Sequence, residues 1–107
     1  MIDVQKMHCQ ADEVAQWLKM LAHPERLMVL CQLTQGEMPL KLLQQHSNLG
    51  QSALSQHLAI LKAHELVSFR KQSQQVFYSL ADQKAKKLIE ALQNICCADD
   101  EQLEMKK

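Results

Sequence analysis

Four thiols punctuate the 107-residue chain: Cys9, Cys31, and the adjacent Cys96 and Cys97 ahead of an acidic tail. A thiolate is both a nucleophile and a soft metal ligand, so sulfur exchange and metal binding are the two chemistries open to it. The stretch QNICCADD around the pair has no C-x-x-C spacing. With no βαβ frame or Gly-rich phosphate loop either, little is left for a small thiol oxidoreductase, and no enzyme is expected. Metal sites need three or four converging donors. His8 with Cys9, or Cys96 with Cys97, supplies only two, and neighbours on a helix project about 100° apart. No metal site and no cofactor is therefore expected. Cysteine is also a common small core residue, and Cys31 on an apolar stripe needs no reactivity to be there.

A second set of residues suits recognition rather than reaction. Gln51 and Gln56 can form paired hydrogen bonds with adenine, and Ser52 and Ser55 can reach base edges or phosphate. Lys62, Arg70 and Lys71 can set register on phosphates, which orient a protein without reading sequence. The whole chain is formally neutral, with twelve basic and twelve acidic residues. Between residues 38 and 80, however, Lys41, Lys62, Arg70 and Lys71 face one carboxylate, Glu65, and His46, His57 and His64 lie in the same stretch. Such a basic island inside a neutral chain fits a nucleic-acid footprint, and His57 is grouped with the DNA-facing residues.

The elements that must position these residues can be read from periodicity. Val14, Trp17, Leu18 and Leu21 share one side of a first helix over 11–22, and His23-Pro24 interrupts it. Pro24 suits the first position of a second helix, which carries Leu27, Leu30, Cys31 and Thr34 on one face and stops at Gly36. Pro39 starts a short third helix over 40–46 that turns Leu40, Leu43 and Leu42 inward. Ser47 to Gly50 reads as a tight turn. A fourth helix over 51–64 buries Leu54, Leu58 and Leu61 and exposes Ser52, Ser55, Gln56 and Ala59. Val67-Ser68-Phe69 and Val76 to Leu80 are β-branched and aromatic strands flanking a polar tip, Arg70 to Gln75. A last helix, from an Asp82 cap to about Cys97, carries Ala85, Leu88, Leu92 and Ile95 as its apolar stripe. The fold expected is mainly α with a small β-hairpin: one winged helix-turn-helix domain over 1–107, with five helices and a two-stranded wing. Frayed tails are expected at 1–10 and 99–107.

LAHPERL at 21–27, QSALSQHLAIL at 51–61 and QVFYSL at 75–80 resemble the ArsR/SmtB family of bacterial repressors, over roughly residues 11 to 97. The resemblance implies a homodimer joined through the first and last helices, which binds palindromic operator DNA and releases it to an inducer. In many members that inducer is a metal. The third helix here lacks the family's C-x-C and the last helix contains no histidine, so a metal-responsive repressor is the alternative rather than the first choice.

The cysteines resemble those of the BigR, SqrR and HlyU branch, whose members sense persulfides and polysulfides. Val29-Leu30-Cys31 matches that branch's ILC stretch, and Cys97 matches the cysteine ending its last helix. Cys96 falls where relatives often show tyrosine and is the substitute, since helical spacing sets it nearer the Leu88, Leu92, Ile95 stripe. A thiolate takes the outer sulfur of a persulfide and releases a thiol, and the persulfidated cysteine can then be joined to the second cysteine as a polysulfide bridge when further sulfane sulfur is supplied. A direct disulfide needs Cα atoms about 5.5 Å apart, and each added sulfur extends that reach by about 2 Å, so a wider gap selects sulfane sulfur over peroxide. The first thirteen residues hold no apolar stretch of signal-peptide kind and the longest apolar run is Leu27 to Cys31. The expected setting is the reducing cytoplasm, with no membrane segment.

Overall fold

A computed structural model of the chain describes the backbone of residues 3–106 and the side chains of residues 3–96. The Cys97 thiol and the side chains of the 99–107 tail lie outside that range. Five helices and three strands follow one another as α1 (Val4–Leu21), α2 (Pro24–Leu33), β1 (Met38–Pro39), α3 (Leu40–Gln45), α4 (Gln51–Ala63), β2 (Val67–Gln72), β3 (Gln75–Leu80) and α5 (Gln83–Lys106).

Local chemistry sets most of these boundaries. The Asp3 carboxylate accepts from the Gln5 and Lys6 amides at 3.0 and 3.3 Å. That N-cap starts α1 at Val4, ahead of the expected start at Ala11 and inside the segment expected to fray. Pro24 occupies the first turn of α2, where its missing N–H is not needed. Gly36, at φ +124°, turns the chain out of α2 in a conformation that side chains resist. The Ser47 hydroxyl accepts from the Leu49 amide at 3.0 Å and shapes the turn before α4. At the far end of α4, the Leu66 and Glu65 amides return to the Leu61 and Lys62 carbonyls, both at 2.9 Å. This Schellman closure puts Glu65 at φ 62°, the left-handed position usually given to glycine. The Asp82 carboxylate caps α5 by accepting from the Lys84 and Ala85 amides at 2.7 and 3.3 Å.

The sheet differs from the expected two-stranded wing. β1 adds a third strand, with Met38 opposite Tyr78 and Pro39 opposite Phe77, and the order across the sheet is β1-β3-β2. Pairing of β2 with β3 continues to Gln72 opposite Gln75. Arg70 and Lys71 therefore lie within a strand, not in the tip, and the turn is only Ser73-Gln74, with Ser73 at φ 57°.

The core gathers Met20 and Leu21 of α1, Val29, Leu30 and Leu33 of α2, Leu43 of α3, and Leu54, Leu58 and Leu61 of α4. Leu66, Val67, Ala85 and Ile89 close it from the wing and α5. Three expected core positions are corrected. Leu42 faces out from α3, and Leu92 and Ile95 are 39% and 64% exposed while Ile89 is fully buried. Val14 and Leu18 of α1 are likewise about half exposed, at 48% and 46%. On α1 the exposed Val14 and Leu18 precede the buried Leu21, and on α5 the exposed Leu92 and Ile95 follow the buried Ile89, so each apolar stripe is covered by its own chain over only part of its length.

Candidate functional site

The outer face of α4 follows from helical spacing. Leu54, Leu58 and Leu61 anchor one side in the core, and Gln51, Ser52, Ser55, Gln56 and Ala59 stand exposed on the other. That face offers two amides and two hydroxyls, all able to donate and accept, on a rigid element.

His57 stands apart from this face. Its Nδ1 accepts from Arg26 Nε at 3.0 Å, and its ring lies 5.7 Å from that of His23. Arg26 is nearly buried, at 8% exposure, and its Nη1 donates to the Met20 carbonyl at 2.8 Å. One guanidinium thus ties α4 to the end of α1 from a position on α2. Partial burial, then the Arg26 and His23 charges, hold the His57 imidazole below its usual pKa, against a smaller opposing pull from Glu25. The neutral ring is the form that can accept from Arg26.

The wing carries the remaining basic residues. Lys62 sets its ammonium 4.0 Å from the centre of the Phe69 ring, joining the last turn of α4 to β2. Arg70 grips Glu37 with two parallel bonds, Nε to Oε2 and Nη2 to Oε1, each 2.7 Å. Its Nη1 donates to Gln72 Oε1 at 2.6 Å, and the guanidinium carbon lies 4.6 Å from the centre of the Phe77 ring. The hydrogen bonds and charge of Arg70 hold the Glu37 carboxyl below its ordinary pKa, and the reciprocal contacts raise that of Arg70. Lys71, next along the strand, is exposed.

The cysteines separate into different settings. Cys31 sits in the last turn of α2, partly buried and packed against the core. Its carbonyl accepts from the Thr34 hydroxyl at 2.6 Å and from Gln93 Nε2 of α5 at 3.3 Å. Cys9 and Cys96 are exposed thiols. Among the described residues, no group of three or more His, Cys, Asp or Glu side chains comes together to hold a metal ion. No described helix is long and apolar enough to cross a membrane.

Arg26, Glu37 and Gln93 form the principal contacts of the site without having been singled out as site residues. Arg26 lies inside LAHPERL, the stretch that carries part of the family resemblance, but nothing in the sequence signals its partners. Glu37 and Gln93 carry no local signal, because their partners are 33 and 62 residues away.

Comparison with known proteins places this geometry. The model of the family described as "Bacterial regulatory protein, arsR family" matches residues 23–68. The chain is 45% identical over 102 residues to the biofilm growth-associated repressor of Agrobacterium fabrum, covering 95% of this chain and 87% of that protein. Among solved structures it is similar to the transcriptional repressor BigR from Xylella fastidiosa, with TM-score 0.81 and 41% identity over 91% of this chain and 96% of that one. It is also similar to reduced HlyU from Vibrio cholerae, with TM-score 0.82 and 40% identity over 87% and 98% of the two chains.

Proposed function

The chain belongs to the arsR family of bacterial regulatory proteins, and from that premise we propose that it is a transcriptional repressor that releases operator DNA when two cysteines react with a persulfide or polysulfide. The DNA half of this reading rests on the exposed amides and hydroxyls of α4 beside a basic wing. Gln51, Ser52, Ser55 and Gln56 read base edges, and Lys62 and Lys71 contact phosphate. His57, bonded to Arg26, serves instead to hold α4 in place. A second copy of the chain covers the exposed Val14, Leu18, Leu92 and Ile95. The resulting twofold dimer sets two α4 helices one turn of DNA apart, about 34 Å, on a palindrome. Such a regulator works where the chromosome is, in the cytoplasm.

The observation that carries the sensing half is the bond from Gln93 to the Cys31 carbonyl, which brings α5 against the last turn of α2. At about 100° per residue, position 97 lies about 40° round a helix from position 93, and position 96 about 60° the other way. Cys96 is exposed. Both points favour Cys97 as the partner of Cys31.

The chemistry balances without an added oxidant. Each thiolate takes the outer sulfur of one persulfide and releases a thiol, giving two persulfidated cysteines. The terminal sulfur of one then attacks the cysteine sulfur of the other and expels hydrosulfide, leaving a trisulfide bridge. Drawing α2 against α5 moves the dimer helix relative to α4, and a preference of about 1 to 3 kcal/mol for the bridged shape suffices for a switch.

Operator binding and release by a polysulfide donor test the reading directly. Cys31→Ala and Cys97→Ala are expected to bind DNA as wild type does and to ignore the donor. Intact mass of the treated wild type should show one sulfur gained and two hydrogens lost per protomer. If Cys96→Ala alone becomes insensitive, Cys96 is the partner. Tight zinc or copper(I) binding that weakens operator affinity would replace the sulfur reading with a metal-responsive one.

A further inference from the structure

Glu37 lies between the last turn of α2 and β1, outside every element that faces DNA in the reading above. Its carboxylate nevertheless holds the most fully engaged cation of the wing. Arg70 on β2 stands opposite Phe77 on β3, and Phe77 stands opposite Pro39 on β1. The arginine side chain therefore runs across one face of the sheet, over the Phe77 ring, to reach Glu37 beyond the outer strand. Gln72, two residues along the same strand, accepts from the remaining guanidinium nitrogen.

The wing needs such a tie. Past Val67, every residue of β2 is exposed, so apolar burial does little to fix the angle of the hairpin against the body of the protein. A two-stranded ribbon is marginal by itself, and β1 supplies only two residues of further pairing. A forked carboxylate–guanidinium pair is directional as well as attractive, and it fixes an orientation that a point charge would not.

We propose that Glu37 is a positioning residue for DNA binding: its forked pair with Arg70 braces the wing across the sheet, so Arg70 serves the wing's orientation and does not contact a DNA phosphate. The proposal rests on the DNA-binding reading above. All three guanidinium nitrogens already donate within the protein, and the pair's charges cancel. Strand alternation sends Lys71 to the opposite face from Arg70, where it remains available as the wing's cation.

Counterion release separates a brace from a phosphate ligand. Each phosphate contact contributes about 0.9 to the slope of log affinity against log salt on duplex DNA. The probe is a duplex of about 30 base pairs selected by the wild-type protein from a random pool, long enough for two half-sites. Glu37→Gln and Arg70→Ala are each expected to weaken binding about fivefold at low salt, with the slope close to wild type. Lys71→Ala lowers the slope by about 0.9 for each protomer bound. The exchange Glu37→Arg with Arg70→Glu restores affinity, which shows that orientation of the wing, and not a cation at position 70, is what DNA requires.

A slope that falls in Arg70→Ala as it does in Lys71→Ala overturns the brace. So does tighter binding by Glu37→Gln, which would mean that Glu37 competes with phosphate for the arginine. A wild type that selects no duplex sinks the DNA reading itself, whereas a wild type that binds alongside an equally tight Glu37→Gln sinks only the brace.

Discussion

Arg26 and Arg70 hold the two elements assigned to DNA, α4 and the wing, in contrasting ways. Arg26 is nearly buried and donates to neutral acceptors, the Met20 carbonyl and His57 Nδ1. Arg70 is half exposed and donates to a carboxylate that is itself 35% exposed. The buried guanidinium cannot exchange its partners for water, so removing it or them leaves a desolvated group unpaired. The exposed pair loses little when broken, because water and salt screen it and solvate its parts. Helix α4 is thus fixed by an interaction on which folding depends, and the wing by one that the fold can lose.

The largest consequence is expected at the buried end. Arg26→Ala leaves the Met20 carbonyl and the His57 ring without their donor, which should cost about 2 to 3 kcal/mol of folding stability. Urea denaturation measures this. A loss under about 0.5 kcal/mol, the range of ordinary surface substitutions, would erase the distinction between the two arginines.

Between the two braced elements lies Glu65, held left-handed where α4 gives way to β2. Glycine reaches that backbone shape without a Cβ penalty, so Glu65→Gly should raise stability by about 0.5 to 1 kcal/mol. Thermal melting reads the change. A destabilised variant would mean that the Glu65 side chain supports the junction more than its backbone strains it.

A smaller effect should appear with acid. The folded His57 has a pKa below that of the unfolded chain, so the unfolded state binds more protons where the two differ. Its contribution is then complete above about pH 6.5 and falls away as pH drops toward the folded value. Arg26, His23 and Glu25 are the charged or titratable groups around the ring, and their net effect with burial is to oppose protonation. His57→Gln keeps an acceptor for Arg26 but does not titrate. Its stability should therefore fall less than wild type between pH 7.5 and about 5.5. Equal falls in both proteins would separate the Arg26 bond from the charge state of the ring.

The sequence made some of this contrast readable and hid the rest for physical reasons. Leu54, Leu58 and Leu61 of α4 were legible because one core-facing stripe on a helix has an unambiguous period. The wing strands were legible from their β-branched and aromatic residues, although β2 extends to Gln72 through residues too polar to announce a strand. On α5 the apolar stripe runs on past the core, so Ile89 is buried while Leu92 and Ile95 further along are exposed, a limit that periodicity alone does not mark. Residue type identified Cys31 and the vicinal pair as chemically notable, but only the fold brings Gln93 to the Cys31 carbonyl. Glu37 was hidden by its place in the chain: it lies one residue outside the basic stretch beginning at 38, and its partner is 33 residues away.

The smallest expected effect is the one that most sharpens the contrast. Arg70→Ala should melt close to wild type, since both members of the pair are solvated and the hairpin keeps its backbone ladder. Any deficit should be greatest at low ionic strength and should vanish by about 0.5 M salt, where the screening length is only a few ångströms. Arg26→Ala should stay destabilised over the same range, because its lost partners are a backbone carbonyl and a neutral imidazole. Two melting curves that respond alike to salt would mean that exposure does not divide these arginines. Divergent curves would show that the wing's orientation, unlike that of α4, can be altered without unfolding the protein that carries it.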